Sequence, residues 1–249
     1  MKIQVLCSTM YGVQPLFTKK GMLPNELVVV NQCLTEEHKV DGFKNYFETG
    51  LSKSRNRCIE NASADICLLS DNDVYFDSET LNIVERSFVK YPEADILTFK
   101  VETPDGESFK NYKDEFFWHS KLSLAKVSSV EVAFRREAIV NKNIKFDENF
   151  GLGSKFATSE EYIFLADALN CGLKIGFVPE VIVYHPKESS GGQFNKLSLV
   201  EAKGAMIKRV FGLYGIPICF IFSLKKFKHS EIGFLSFLKV IFKGFFSSN

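Results

Sequence analysis

The stretch Ile66-Cys67-Leu68-Leu69-Ser70-Asp71-Asn72-Asp73 decides the fold. Its short apolar run has the length and composition of a strand buried on both faces, as in a parallel sheet. Two carboxylates follow where that strand leaves the core, and such a pair can hold a hard divalent cation on the phosphates of a nucleotide. A D-x-D triplet alone also occurs as a solvated turn, so its meaning depends on what surrounds it.

Outward from this strand, short apolar or β-branched runs alternate with helical patterns through the first two thirds of the chain. This is the pattern of a parallel α/β sheet. Ile3 to Ser8 and Leu27 to Val30 are predicted strands, and Leu51 to Ala62 a helix with Leu51, Cys58, Ile59 and Ala62 on one face. After the D-x-D comes a second helix, with Ser78 as expected N-cap, Leu81, Val84 and Phe88 inward, and Pro92 beyond its end. Asp95 to Val101 and Val127 to Phe134 are further strands, separated by a polar surface loop over Glu102 to Lys113. A helix from about Ser159 to Cys171 is closed by Gly172, and a strand from Val181 to Tyr184 delivers His185 to its end. Core packing is the expected role of Trp118, with stacking on a sugar as the alternative.

The 249 residues, 45% hydrophobic, suffice for a sizeable core. Six scattered cysteines without a C-x-x-C pair read as reduced core residues, which favours a cytosolic chain over a disulfide frame or a zinc site. The N-terminal apolar stretch, Ile3 to Cys7, is too short for a signal-peptide core. Net charge is +1, but from Lys203 onward eight basic residues face one acidic residue, Glu231, and this tail holds nine of the 25 phenylalanines. That combination points to an anionic membrane surface and not to nucleic acid. Val210 to Leu224 is uncharged for 15 residues, too few to span a bilayer as a helix, and Ile232 to Phe246 has an amphipathic pattern. The other reading is that these helices pack on the domain or on a second subunit, which leaves a homodimer open. The expected division is therefore an α/β domain over residues 1–200 and a basic, amphipathic helical tail over 201–249.

Read in order, Gly50-Leu-Ser-Lys-Ser-Arg55-Asn56, Ile66 to Asp73, Phe146-Asp-Glu-Asn-Phe-Gly151, Ser159-Glu160-Glu161 and Val183-Tyr-His185 resemble the family 2 glycosyltransferases of GT-A fold. The resemblance covers about residues 1 to 190. It implies a Rossmann-like, mixed but mostly parallel sheet flanked by helices, with a C-terminal helical, membrane-associating extension. It also implies an inverting, metal-dependent transfer of one sugar from a nucleotide-sugar, with a UDP-sugar favoured, to a hydroxyl of a glycan acceptor. Together with the tail it suggests a lipid-linked oligosaccharide acceptor, in cell-surface polysaccharide synthesis at the cytoplasmic face of the membrane.

By the same resemblance Ser8 and Thr9 lie near base or ribose, Asn31 stands where the family has a base-reading aspartate, and Lys53 and Arg55 lie near the pyrophosphate. Asp71 contacts ribose or a metal-bound water, Asp73 ligates Mg²⁺ or Mn²⁺, and His185 completes the metal site. Glu161 or Glu160 is the base that takes the acceptor proton. Asp147 and Glu148 shape the acceptor loop, and the Glu188-Ser-Ser-Gly-Gly192 segment suits a lid. The chain lacks the Q-x-x-R-W motif of processive synthases, so a single addition per encounter is expected. Two other readings are a sugar nucleotidyltransferase, which needs a glycine-rich basic loop where Ser8 to Gln14 has one glycine and no base, and a non-catalytic nucleotide-sugar-binding or membrane-scaffold protein.

Overall fold

A computed structural model describes residues 1–16, 26–186 and 194–247. The elements in chain order are β1 (Ile3–Met10), β2 (Leu27–Gln32), β3 (Lys44–Tyr46), α1 (Leu51–Asn61), β4 (Ile66–Ser70), α2 (Thr80–Lys90), β5 (Ile96–Glu102), β6 (Phe117–Trp118) and α3 (Lys121–Leu124). They continue with β7 (Val132–Arg135), α4 (Arg136–Asn141), α5 (Glu160–Asn170), β8 (Ile175–Tyr184), α6 (Leu197–Phe211), α7 (Gly215–Lys226) and α8 (Phe234–Ser247). They fall into two compact units. One comprises Met1–Thr49, Lys53–Lys145 and Phe164–Lys187; the other comprises Gly50–Ser52, Phe146–Ile163 and Glu188–Asn249.

The first unit holds one eight-stranded sheet in the order β3-β2-β1-β4-β7-β5-β8-β6. β1 pairs in parallel with β2 and β4, β2 with β3, and β5 with β8. β7 runs antiparallel between β4 and β5, and β6 is antiparallel on β8. The sheet is thus mixed and mostly parallel, as expected. β4 is buried at every position, which is why its sequence is an unbroken apolar run. Ile83, Val84 and Phe88 of α2 pack into a core with Leu97, Phe99, Val101 and Ile182. All six cysteines are free thiols, five of them buried.

Several local expectations change. The strand expected over Val127 to Phe134 is a 3₁₀ turn at Ser129–Glu131 followed by the short β7. β8 begins at Ile175, not Val181, and its pairing with β5 is irregular around Lys100. Ser78 does not cap α2; the Asp77 carboxylate accepts from the Glu79 amide at 2.9 Å and the Thr80 hydroxyl at 3.3 Å instead.

The second unit is built on three helices. α6 and α8 cross at Gly204 and Gly244, where a Cβ on either would stand 1.9 Å from Ile241 O or 1.8 Å from Glu201 O. Only glycine admits that backbone approach. Phe237, Ile241 and Phe245 of α8 are fully buried, so the apolar face of its amphipathic pattern is covered within the unit. The run Leu197–His229 is long and apolar enough to cross a membrane by length and composition. Gly212, with φ +59°, interrupts it, leaving α6 and α7 at 15 and 12 residues. At 1.5 Å per residue each is about 18–23 Å long, against a hydrocarbon core of ~30 Å.

Candidate active site

β1 leads to β2 on one side, while β4 lies on the other, so the carboxyl ends of β1 and β4 flank the point where strand order reverses. In open α/β sheets ligands bind in that crevice. Asp71-Asn72-Asp73 sits there, at the end of β4.

The two aspartates have different surroundings. Arg55, buried on α1, donates from Nη2 to Asp71 Oδ1 at 2.9 Å, and the Ser129 hydroxyl donates to Asp71 Oδ2 at 3.4 Å. A buried guanidinium needs such a counter-charge. Asp73 is open, its side chain 60% exposed, with Oδ1 3.6 Å from His185 Nε2. His185 reaches it because Tyr75, two residues beyond Asp73, pairs with Tyr184 through two backbone hydrogen bonds of 2.8 and 2.9 Å. The Nδ1–H of His185 donates to Pro186 O, so Nε2 is the ring nitrogen that faces Asp73. Phe109 packs edge-on against the His185 ring.

Among the described residues no group of three or more His, Cys, Asp or Glu side chains could hold a metal. Asp73 and His185 supply a two-donor arrangement: ligand atoms ~2.1 Å from one cation stand roughly 3–4 Å apart. This fits a cation that takes its remaining oxygens from a bound diphosphate, as Mg²⁺ commonly does.

The other donor-side residues are placed less simply. β1 runs past the expected end, so Ser8 and Thr9 lie inside the strand, both buried. The Thr9 hydroxyl donates to Val13 O at 2.7 Å and accepts from Asn72 Nδ2 at 3.0 Å, bracing the D-x-D turn. Asn31 is fully buried. Its amide donates to His38 O at 2.7 Å and Asn45 Oδ1 at 2.8 Å, and its Oδ1 accepts from the Gly12 amide at 3.0 Å. The side chain thus ties three loop segments together. Lys53 is part-exposed on α1. Tyr11 escaped the sequence reading: it follows β1, is 42% exposed, holds φ +56° and tilts over His38 at 5.0 Å. The signal was the Tyr11-Gly12 pair directly after a strand, an aromatic at a position where the chain turns sharply.

The acidic pair at the start of α5 belongs to the second unit. Glu160 is 6% exposed and Glu161 part-exposed. Gly151, with φ +99°, lies against the Glu160 side chain: a Cβ there would meet Glu160 Cγ and Cδ at 3.3 Å and Ser52 Oγ at 3.1 Å. Ser52 fixes the loop by donating to Phe150 O at 2.6 Å. Ser159, just before the helix, is buried with φ +75°, a strained conformation for a residue with a Cβ. Lys203 of α6 donates to its hydroxyl at 2.8 Å. Burial pulls the Lys203 ammonium below its ordinary range, opposed by the charges of Glu161 and Glu160. Asp147 is bound by Arg209 of α6 at 2.9 Å. Sequence reading missed Lys203 and Arg209 because both lie in a stretch read as a tail. The Glu188-Ser-Ser-Gly-Gly192 segment lies outside the described residues.

A cavity of about 530 Å³ opens elsewhere, beside the C-terminal half of α2, lined by Arg86, Lys90, Tyr91, Phe116 and Glu180. None of the candidate residues lines it. Trp118 is 44% exposed on the edge strand β6, so it does not serve the core as expected.

No family model matches the chain, and no curated protein does. Solved structures do match. S. aureus TarS, a glycosyltransferase, superposes with a TM-score of 0.59 at 18% identity, over 93% of this chain and 44% of that one. The fold is GT-A. TarS 1-349 in complex with UDP-GlcNAc gives a TM-score of 0.58 at 17% identity, over 92% of this chain and 74% of that one. The UDP complex gives 0.58 at 17%, over 92% and 72%. The chain therefore spans less than half of the first TarS chain and about three quarters of TarS 1-349.

Proposed function

We propose that this protein transfers a single sugar, with inversion, from a nucleotide-diphosphate sugar to a hydroxyl of a glycan acceptor. The observation that carries the reading is the carboxyl end of β4, where Asp71 is held by buried Arg55 while Asp73 stays open beside His185. The UDP-GlcNAc and UDP complexes of TarS support a nucleotide-sugar donor and favour uracil as its base.

Asp73 and His185 would hold Mg²⁺ or Mn²⁺, which when bound neutralises charge on the departing diphosphate. Arg55 orients Asp71, and Asp71 meets the ribose or a water of the cation. Tyr11 offers an exposed ring face for stacking on the base. Asn31, with its amide engaged internally, acts by fixing the loops around the base. Ser8 and Thr9 act likewise through the strand end, and Lys53 adds positive charge near the phosphates.

Inversion requires a base that takes the acceptor proton on the face opposite the leaving group. Glu161, the more exposed of its pair, fills that role. Glu160, packed against Gly151, positions the helix start, and Lys203 holds the strained Ser159 that precedes it. The acceptor is a lipid-linked oligosaccharide, and the setting is cell-surface polysaccharide synthesis at the cytoplasmic face of a membrane, by a monomer or a homodimer.

The test is turnover of UDP-sugars by wild type, Asp73→Ala and Glu161→Gln, each confirmed as folded by circular dichroism. Both variants are expected to lose about 10²–10⁴-fold in kcat/KM. Transfer at the wild-type rate by either one would refute the assignment of that residue.

A further inference from the structure

α7 is built inside out for a helix in water. Its buried positions are Gly215, Cys219 and Ser223, one face at i, i+4 and i+8, and the buried Ser223 hydroxyl has no hydrogen-bond partner. Its outward positions are larger and more apolar: Ile216, Pro217, Phe220, Ile221 and Leu224 are all exposed, and the preceding turn adds Leu213 and Tyr214, the latter 88% exposed. A soluble surface helix places its large apolar side chains the other way. Contiguous exposed apolar surface of this kind marks an interaction face.

Charge indicates what covers it. The stripe ends in Lys225, Lys226 and Lys228, the first and last exposed, and Glu231 is the only acidic residue after Glu201. Two copies of the same face would bring like charges together around an apolar centre. An anionic lipid surface would accept both features, acyl chains taking the stripe and headgroup phosphates the lysines. A spanning orientation does not suit the geometry, since Gly212 breaks the run ahead of α7. α8 offers less apolar surface, since Phe237, Ile241 and Phe245 pack inward and its large exposed apolar side chains are Leu235 and Phe246 at its two ends.

We propose that α7 lies in the plane of an anionic bilayer, with Ile216, Phe220, Ile221 and Leu224 inserted at the acyl boundary and Lys225, Lys226 and Lys228 on the lipid phosphates. The proposal stands apart from the sugar-transfer reading: a chain inactive on every nucleotide-sugar would still bind lipid.

The experiment is cosedimentation of the full chain with vesicles of phosphatidylcholine alone and of phosphatidylcholine with 30% phosphatidylglycerol. Binding is expected only to the anionic vesicles. It should weaken at least tenfold in Ile221→Ser/Leu224→Ser, both more than half exposed, and about tenfold in Lys225→Gln/Lys226→Gln/Lys228→Gln or at high salt. Because the first pair is exposed, its thermal melting should match wild type, which separates lost docking from lost folding. Failure of the wild type to sediment with anionic vesicles would overturn the proposal, as would full binding by the Ile221/Leu224 variant. A wild-type dimer that the same variant abolishes, without lipid binding, would assign the face to a second copy and overturn it equally.

Discussion

Asp71 and Asp73 at the end of β4, and Glu160 and Glu161 at the start of α5, are acidic pairs in different units with a common construction. In each, one carboxylate is committed to the scaffold and the other is more exposed. Asp71 is bound by Arg55 and Ser129, whereas Asp73 is open beside His185. Glu160 is packed against Gly151, whereas Glu161 is part-exposed. Each pair also has a basic side chain from a helix in its surroundings, Arg55 from α1 and Lys203 from α6. A reactive carboxylate on a mobile turn would sample many positions; securing its neighbour removes that freedom before substrate arrives.

The units differ in what holds them. The sheet unit depends on two-sided burial of strands, the helical unit on close helix approaches, the tightest being the α6/α8 crossing. The largest stability effect is therefore expected at that crossing. Gly204→Leu places a side chain where even a Cβ would be 1.9 Å from Ile241 O, and should cost about 3 kcal/mol or more, read as a fall in Tm. An unchanged Tm would mean that the α6/α8 crossing is not formed as described.

A smaller effect separates the units by pH. In the sheet unit, burial holds the His119 imidazole down to about 4, with its ring nitrogens bonded to Thr98 and Ser123. The unfolded chain takes up that proton near pH 6.5, which the folded chain refuses until about pH 4. Stability should therefore fall as pH drops through this window, by roughly 2 kcal/mol at pH 4.5 after allowance for partial exposure. His119→Gln should flatten the slope in urea unfolding measured across these pH values.

The smallest effect is kinetic. Lys203→Met leaves Glu160 and Glu161 without the ammonium that faces them, so Tm should also fall. Its loss releases Ser159 and the start of α5, and kcat should drop about tenfold with the donor KM unchanged. A change in donor KM with kcat intact would place the influence of Lys203 on the sheet unit instead.

The sequence made β4 and its aspartates visible because a strand buried on both faces leaves a pattern that no surface residue interrupts. The loop from Phe146 to Gly151 and the start of α5 were legible for a similar reason, since a glycine at positive φ and an acidic first turn are both encoded locally. Other features were hidden by partners far along the chain. Asn31 resembled a base reader until His38 and Asn45 were seen to take its amide hydrogens. β8 was read short because Gly176 and Pro179 interrupt a strand that its neighbours nevertheless hold in the sheet. The amphipathic period of α8 was correct as a helix signal, but periodicity does not say whether lipid or α6 covers the apolar face.

The most direct test of the central claim is calorimetric titration of UDP into the wild-type chain and into Asp73→Ala, each with and without Mn²⁺. Wild type should bind UDP at least tenfold more tightly with Mn²⁺, and Asp73→Ala should lose that gain while keeping its Tm. Equal UDP affinity in all four titrations, or no UDP binding at all, would contradict the assignment of the β4 end as the diphosphate site.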